Sequence, residues 1–427
     1  MNARHDLRWY WCGQTASAFG SVFTAVAIPV VAVVEMDAGP NDVALISAAS
    51  MLPALLLGLP AGALADRIAR PRRALLVLDT IAAVIVGLVA LGVSTHVATV
   101  AWFIFLAASL GCLMVMLEVV YFIHLSQVTG ADNVGPARAR LQAGQFGAGF
   151  VGRLLAGPTI VVLGGGAALA VDAASYVLSL TALLSMTPVP PLARKAADAA
   201  GTRLRRTVLD MANGIRFFLT GDPLHRTMLV FFLVPAAAMA AAGAVAAPLI
   251  LRVLHVPTAV YGLLFAASGV LGLAGSVVAG RLLRPGRPAH RIMFLAMTAS
   301  LACGLLLPAA TGPLPVAATF AALGISLPVF FGALANVTIA PILVTDAAES
   351  TLGSTVAALK VLTAACALGG ALVGGLLAEV IGIRPALFVL EGGGLAVMAL
   401  SLPAAIRTAR RQPESEQPQA APITATR

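Results

Sequence analysis

Charge is what this 427-residue chain has least of. Asp, Glu, Lys and Arg make up 11% of it, against 59% hydrophobic residues and a mean hydropathy of +0.96. Soluble globular domains carry about 25% charged residues, so a soluble fold is excluded. Cysteine is scarce too. Cys12, Cys112, Cys303 and Cys366 all fall in apolar stretches and none is spaced Cys-x-x-Cys, which leaves small buried hydrophobes and argues against disulfides or a metal. The histidines, His5, His96, His124, His225, His255 and His290, are scattered, and neither His-Glu-x-x-His nor Gly-x-Ser-x-Gly occurs. Catalysis therefore has no motif behind it, and no enzyme, cofactor or metal is expected.

Long apolar runs are what the chain has instead. Crossing about 30 Å of hydrocarbon takes roughly 20 residues. Twelve stretches qualify, near 9–34, 43–65, 74–93, 99–122, 139–163, 167–188, 226–247, 257–283, 288–308, 314–336, 351–379 and 385–406. The first is too long, and too poorly followed by a small-residue cleavage site, for a secretory signal. Retained cations mark the cytoplasmic side, and counting alternate connections as inside places 24 of the 27 Lys and Arg there. Both termini are thus expected in the cytoplasm of a multi-pass plasma-membrane protein. The net charge of +9 then needs no nucleic acid, because an anionic inner leaflet accounts for it.

The longest polar segment, 189–225, divides the chain into six-helix bundles over 1–188 and 226–411, followed by a Pro- and Gln-rich tail, 412–427, expected to be disordered. Within the linker Leu204, Val208, Met211, Ile215 and Phe218 recur at three and four, which predicts an amphipathic helix on the inner membrane surface. A solvated linker is the alternative. Arg67-x-x-Arg70-Pro71 is echoed by Arg281-x-x-Arg284-Pro285, a weak repeat of the kind that duplicated transporter bundles carry. Period-four stripes of small residues mark spans two (Ala54, Gly58, Gly62), five (Gly144, Ala148, Gly152, Ala156), eight (Ser268, Gly272, Ser276, Gly280) and eleven (Cys366, Gly370, Gly374, Ala378). These four spans hold 17 of the 41 glycines, which predicts close helix packing at a shared interface.

The stretch Gly62-Ala-Leu-Ala-Asp-Arg-Ile-Ala-Arg-Pro-Arg-Arg73 resembles the loop motif of the major facilitator superfamily, in its place between helices 2 and 3. Gly62, Leu64, Asp66, Arg67, Arg70 and Arg72 or Arg73 fill its positions, with Ala69 and Pro71 as departures. The resemblance implies an all-α fold of twelve transmembrane helices in two bundles, with helices 2 and 11, and 5 and 8, meeting across the halves. Gly58, Gly152, Gly157, Pro158, Gly272, Gly370 and Gly374 are then the interdomain packing residues. Phe146 to Pro158, FGAGFVGRLLAGP, is similar to bacterial exporters of the macrolide-efflux and enterobactin-exporter type. Gly157-Pro158 fits the antiporter motif of helix 5, but Arg153 replaces its central glycine and the helix 4 arginine of proton-coupled antiporters is missing. By the same resemblance, Gly62, Asp66, Arg67, Arg70 and Arg73 form a gating motif. Asp66 would face the start of helix 11 near Gly353 and Ser354, where the positive end of the helix attracts a carboxylate.

Ionisable groups inside a bilayer are costly, so each is a functional candidate. At about 1.5 Å of rise per residue, Arg153 and Asp172 both fall in the outer half and are expected to pair. Asp79 and Glu118 fall near the cytoplasmic face, level with Arg138 and Arg140, where they could form an ionic latch. Glu391 stands alone in the last span, with Lys360 its nearest counter-charge. These acids and Arg153 are the candidates for proton coupling. Gln14, Ser17, Ser21, Tyr121, Gln145 and Asn336 are the candidate cavity residues in an otherwise aliphatic wall. Such a lining suits an amphipathic organic molecule better than a sugar. The expected function is export of drugs or secondary metabolites in exchange for protons, by a monomer in the lipid bilayer. An uptake transporter of the same fold and a non-catalytic membrane sensor are the alternatives.

Overall fold

The computed structural model describes residues 3–65, 68–129, 134–187, 209, 212–220, 223–283, 289–346 and 349–411. They form twelve long helices: α1 Ala3–Val34, α2 Pro40–Ala65, α3 Pro71–Ser94, α4 Val100–Thr129, α5 Val134–Leu163, α6 Gly165–Ser185, α7 Pro223–Pro248, α8 Thr258–Leu282, α9 Ala289–Gly304, α10 Leu314–Asp346, α11 Glu349–Ile381 and α12 Ile383–Arg411. Eleven of them are long and apolar enough to cross a membrane. The exception is α9, which stops at residue 304 rather than near 308. Pro308 offers no N–H to continue the ladder, and the chain leaves in tight turns, Leu306 N to Cys303 O and Leu307 N to Gly304 O.

The connections follow from local chemistry. Pro71 sits at the first position of α3, where its fixed φ suits a helix start. The α5–α6 and α11–α12 turns each pass through one left-handed glycine, Gly164 at φ 85° and Gly382 at φ 89°. α7 runs into a π-helical turn, Leu249–Val253, before the chain reverses.

Within the first half α1 packs on α5 and α6, α3 on α4 and α6, and α2 on α4. The second half repeats the pattern, with α7 on α11 and α12, α9 on α10 and α12, and α8 on α10. Between the halves, α2 meets α11 and α5 meets α8, the pairs that the resemblance implied, and α2 also meets α7. The close approaches of Gly157 to Ala259 and of Gly375 to Ala44 lie toward the face away from the two termini. There Arg252, from the π turn, donates to Val33 O at 2.7 Å and to Asp37 Oδ1 at 2.6 Å, clasping one half to the other.

Of the predicted linker helix, 209 and 212–220 are described, and 212–220 is helical. It is docked on the second half. Phe218 is fully buried in that half's core and a Cβ at Gly214 would collide with the backbone at Ser354, so protein rather than lipid covers this part of its apolar face.

Candidate functional site

Two chambers open in the first half and along the seam. One, of 430 Å³, lies between α1, α4 and α5 and is lined by Gln14, Ser17, Ser21, Tyr121, Gln142 and Gln145 among others. Arg138 stands in its wall, its guanidinium 5.3 Å over the Phe122 ring. The other, of 660 Å³, is central. Ser21, Thr24, Ile28, Val43, Ile46, Ser50, Asp172 and Tyr176 line it from the first half, and Gly243, Tyr261 and Phe265 from the second. Ser21, Met114 and Glu118 belong to both linings, so the chambers share a neck with a carboxylate in its wall. Five of the six expected cavity residues are here, and Gln145 Nε2 donates to Gln14 Oε1 at 3.2 Å. Asn336 is the correction: it is exposed on α10 and lines neither chamber.

Behind the chambers the first half is held by buried carboxylates that accept from hydroxyls. Asp79 on α3 accepts from Ser179 of α6 at 2.7 Å and from Tyr121 of α4 at 2.9 Å. Tyr10 of α1 donates to Tyr121 O and stacks on His124. Asp172 accepts from Thr24 on α1 and from Ser175 one turn along α6. Asp6 takes the backbone N–H and hydroxyl of Thr187, tying the start of α1 to the end of α6. Each carboxylate thus keeps polar partners where lipid or apolar packing would offer none. Asp172, Ser175 and Ser179 recur at i, i+3 and i+7, so this polar face of α6 was legible in the sequence as a helical period, although only Asp172 stood out as an ionisable group.

The ion pairs expected from depth alone do not form among the described residues. Asp172 faces α1, whereas Arg153 is directed to α8: its Nη1 lies 3.6 Å from where Gly269 would carry a Cβ. Asp79 is bound to Tyr121 and Ser179 rather than to a loop arginine, and Glu118 sits in the neck. There is no latch among these residues. Glu391 is buried on α12 against Gly304, its Oε2 without a hydrogen-bond partner, and Lys360 on α11 is exposed and unpaired with it. Depth along a helix axis gives the level of a side chain but not its direction around the axis.

The small-residue stripes are corrected in the same way. A Cβ at Gly157 would lie 2.6 and 2.8 Å from the carbonyl oxygens of Ala259 and Thr258, so this glycine does bring α5 against α8, with Pro158 exposed beside it. Gly152 instead admits Phe19 and Val22 of α1, Gly272 faces Val329 of α10, and Gly370 and Gly374 face Ala237 and Ala241 of α7, all within one half. The close approach of α2 to α11 falls at Gly375, against Ala44. Gly58 and Gly62 belong to α2. In the loop motif, Arg70 precedes α3 and Arg73 lies in its first turn, while Arg72 donates to Leu183 O and Leu184 O. Asp66 and Arg67 lie outside the described residues.

The sequence matches the Major Facilitator Superfamily over residues 10–369. The chain belongs to that superfamily. No curated protein matches it. Among solved structures this facilitator is similar to the nucleoside transporter NupG, with a TM-score of 0.72 at 13% identity over 95% of this chain and 100% of that one. It is similar to a POT family transporter in complex with 5-aminolevulinic acid, at 0.67 and 10% identity over 94% and 96%. A bacterial homolog of the human lysosomal transporter Spinster, in an inward-facing and unoccupied conformation, follows at 0.61 and 15% over 96% and 95%. At these identities the likeness is one of fold. The facilitator is therefore a multi-pass membrane transporter with a small-molecule substrate.

Proposed function

We propose that this facilitator exports small amphipathic organic compounds by alternating access, in exchange for protons that pass through Glu118. The neck carries the reading. A carboxylate stands where the two chambers meet, and the central chamber around it is mostly aliphatic and aromatic, with the hydroxyls of Ser21, Thr24, Ser47, Ser50 and Tyr176 set among Ile28, Val43, Ile46, Leu110 and Phe265. Apolar walls with a few placed polar groups favour an amphipathic solute over one that needs hydrogen bonds on every side. The Arg252 clasp and the Gly157 contact hold the two halves together at the face away from the termini, which supports a cycle in which the opposite face opens and closes.

The test uses purified protein in liposomes with an imposed pH gradient and an amphipathic dye. Native protein is expected to drive the dye against the gradient of protons. Glu118→Gln is expected to keep dye exchange and to lose gradient-driven accumulation, and full accumulation by that variant overturns the proton role. In expressing cells, collapse of the gradient should raise dye content, and a fall would assign uptake instead.

A further inference from the structure

The first chamber uses only one side of α1 and α5. Between the same two helices, near the start of each, lies a separate groove of 810 Å³, lined by Leu7, Arg8 and Trp11 of α1 and by Arg140, Leu141 and Gly144 of α5 among others. Leu141, buried, is the one residue that both linings share, so it stands as a partition between them.

Two arginines and no acid line the groove. Both are exposed, and among the described residues neither has an ion pair or a side-chain hydrogen bond; the ion pairs there are His5–Asp6 and Arg252–Asp37. Asp6, the acid nearest to Arg8 in sequence, is held by Thr187 at the end of α6. Between the arginines the Trp11 indole bridges the helices. Its Nε1 donates to Arg140 O at 3.3 Å, and it lies over Gly144, where a Cβ would come to 2.6 Å from Nε1. The backbone at Arg140 is thus pinned while both guanidiniums keep all their donors.

The groove continues into an apolar strip. Along α5, Arg140, Gly144, Gly147 and Val151 recur at four, three and four, a single helical face. Nothing lies within 4 Å of where Gly147 would carry a Cβ, and Val151 is exposed. From Arg140 to Val151 the strip runs about 16 Å by helical rise, which matches half of a hydrocarbon core of about 30 Å. A cationic end, an indole below it and a bare strip one leaflet deep follow the order of a phospholipid: phosphate, glycerol, acyl chain.

We propose that this groove binds an anionic phospholipid, with its phosphodiester on Arg8 and Arg140, its glycerol against Trp11 and one acyl chain along Gly147 and Val151. Basic pockets between transmembrane helices suit lipid headgroups, and the planar guanidinium matches phosphate oxygens two at a time. A choline or ethanolamine headgroup would bring a further cation into a lining that has two and no acid to receive it. A headgroup of net negative charge is therefore selected. The site stands apart from the identity and the direction of the cargo.

Trp11 supplies the readout. The chain has three tryptophans, Trp9, Trp11 and Trp102, so Trp9→Phe/Trp102→Phe leaves one indole, in the groove. That protein is reconstituted in phosphatidylcholine liposomes with a rising fraction of phosphatidylglycerol or phosphatidylcholine brominated on the acyl chains, and quenching of Trp11 is followed. Phosphatidylglycerol is expected to occupy the groove about tenfold more readily than phosphatidylcholine. Arg8→Gln/Arg140→Gln should remove that preference, whereas Arg226→Gln, an exposed cation at the start of α7 outside the groove, should leave it unchanged. Equal quenching by the two lipids with both arginines in place overturns the proposal, and that arm needs no arginine variant to fold. An equal loss of preference from Arg226→Gln also overturns it, because it would assign the effect to the charged surface in general. Glycerol phosphate in millimolar excess should not relieve the quenching; relief would assign a soluble phosphate compound in place of a lipid.

Discussion

The two halves of the bundle repeat one helical arrangement but are held together by different means. In the first, buried acids and hydroxyls cross from helix to helix: Asp79 to Tyr121 and Ser179, Asp172 to Thr24, Asp6 to Thr187. In the second the core is aromatic and thioether, with Phe218, Met228, Phe231, Met293, Phe294 and Met398 fully buried and the Phe231 and Phe294 rings 4.6 Å apart. One polar bond between its helices runs from Ser300 to Pro328 O at 3.1 Å. Helices in lipid gain little from hydrophobicity and associate by close packing and by hydrogen bonds, and each half leans on one of these more than the other. Hydrogen bonds fix rotation and register as well as distance. The half that uses them is also the half that holds the first chamber and the neck.

Three substitutions set this contrast under load. The largest effect is expected for Asp79→Ala, which removes the acceptor that Ser179 and Tyr121 share, leaving them only each other, and should cost about 2 kcal/mol in thermal unfolding in detergent. A loss below that of Ser300→Ala in the other half would break the contrast. Next comes Arg252→Ala, worth about 1 kcal/mol or less because the pair is largely exposed. Its clearer readout is the distance between spin labels at Val34 and Val380, which should broaden as the clasp opens. An unchanged distribution would show that packing alone closes that face. The smallest is Glu391→Gln, expected to change stability by less than about 0.5 kcal/mol, or to raise it, since the carboxylate gives up no bond at Oε2. A loss as large as that of Asp79→Ala would mean that the second half has a polar network of its own.

Much of the architecture was legible because it rests on length and period. Twelve apolar runs gave twelve helices, and the stripes on spans five, eight and eleven correctly marked helices that are approached closely. What period cannot carry is direction around the axis. Arg153 and Asp172 sit at similar levels but face α8 and α1, so level alone paired them wrongly. A glycine stripe likewise announces a close neighbour without naming it, which is why Gly152 and Gly370 turned out to face partners in their own half. The cavity fared better. Gln14, Ser17, Ser21, Tyr121 and Gln145 are polar groups that an apolar wall would not otherwise hold at that depth, and all five line one chamber.

The bond from Thr24 to Asp172 has a consequence for how the chain is made. Its two ends are 148 residues apart. At roughly 5–20 residues per second, α1 is synthesised about 7–30 s before the carboxylate that will receive its hydroxyl. Asp6 waits longer still for Thr187. Until α6 arrives Asp6 and Thr24 lack these partners, so the step that locks the first half is the arrival of its last helix.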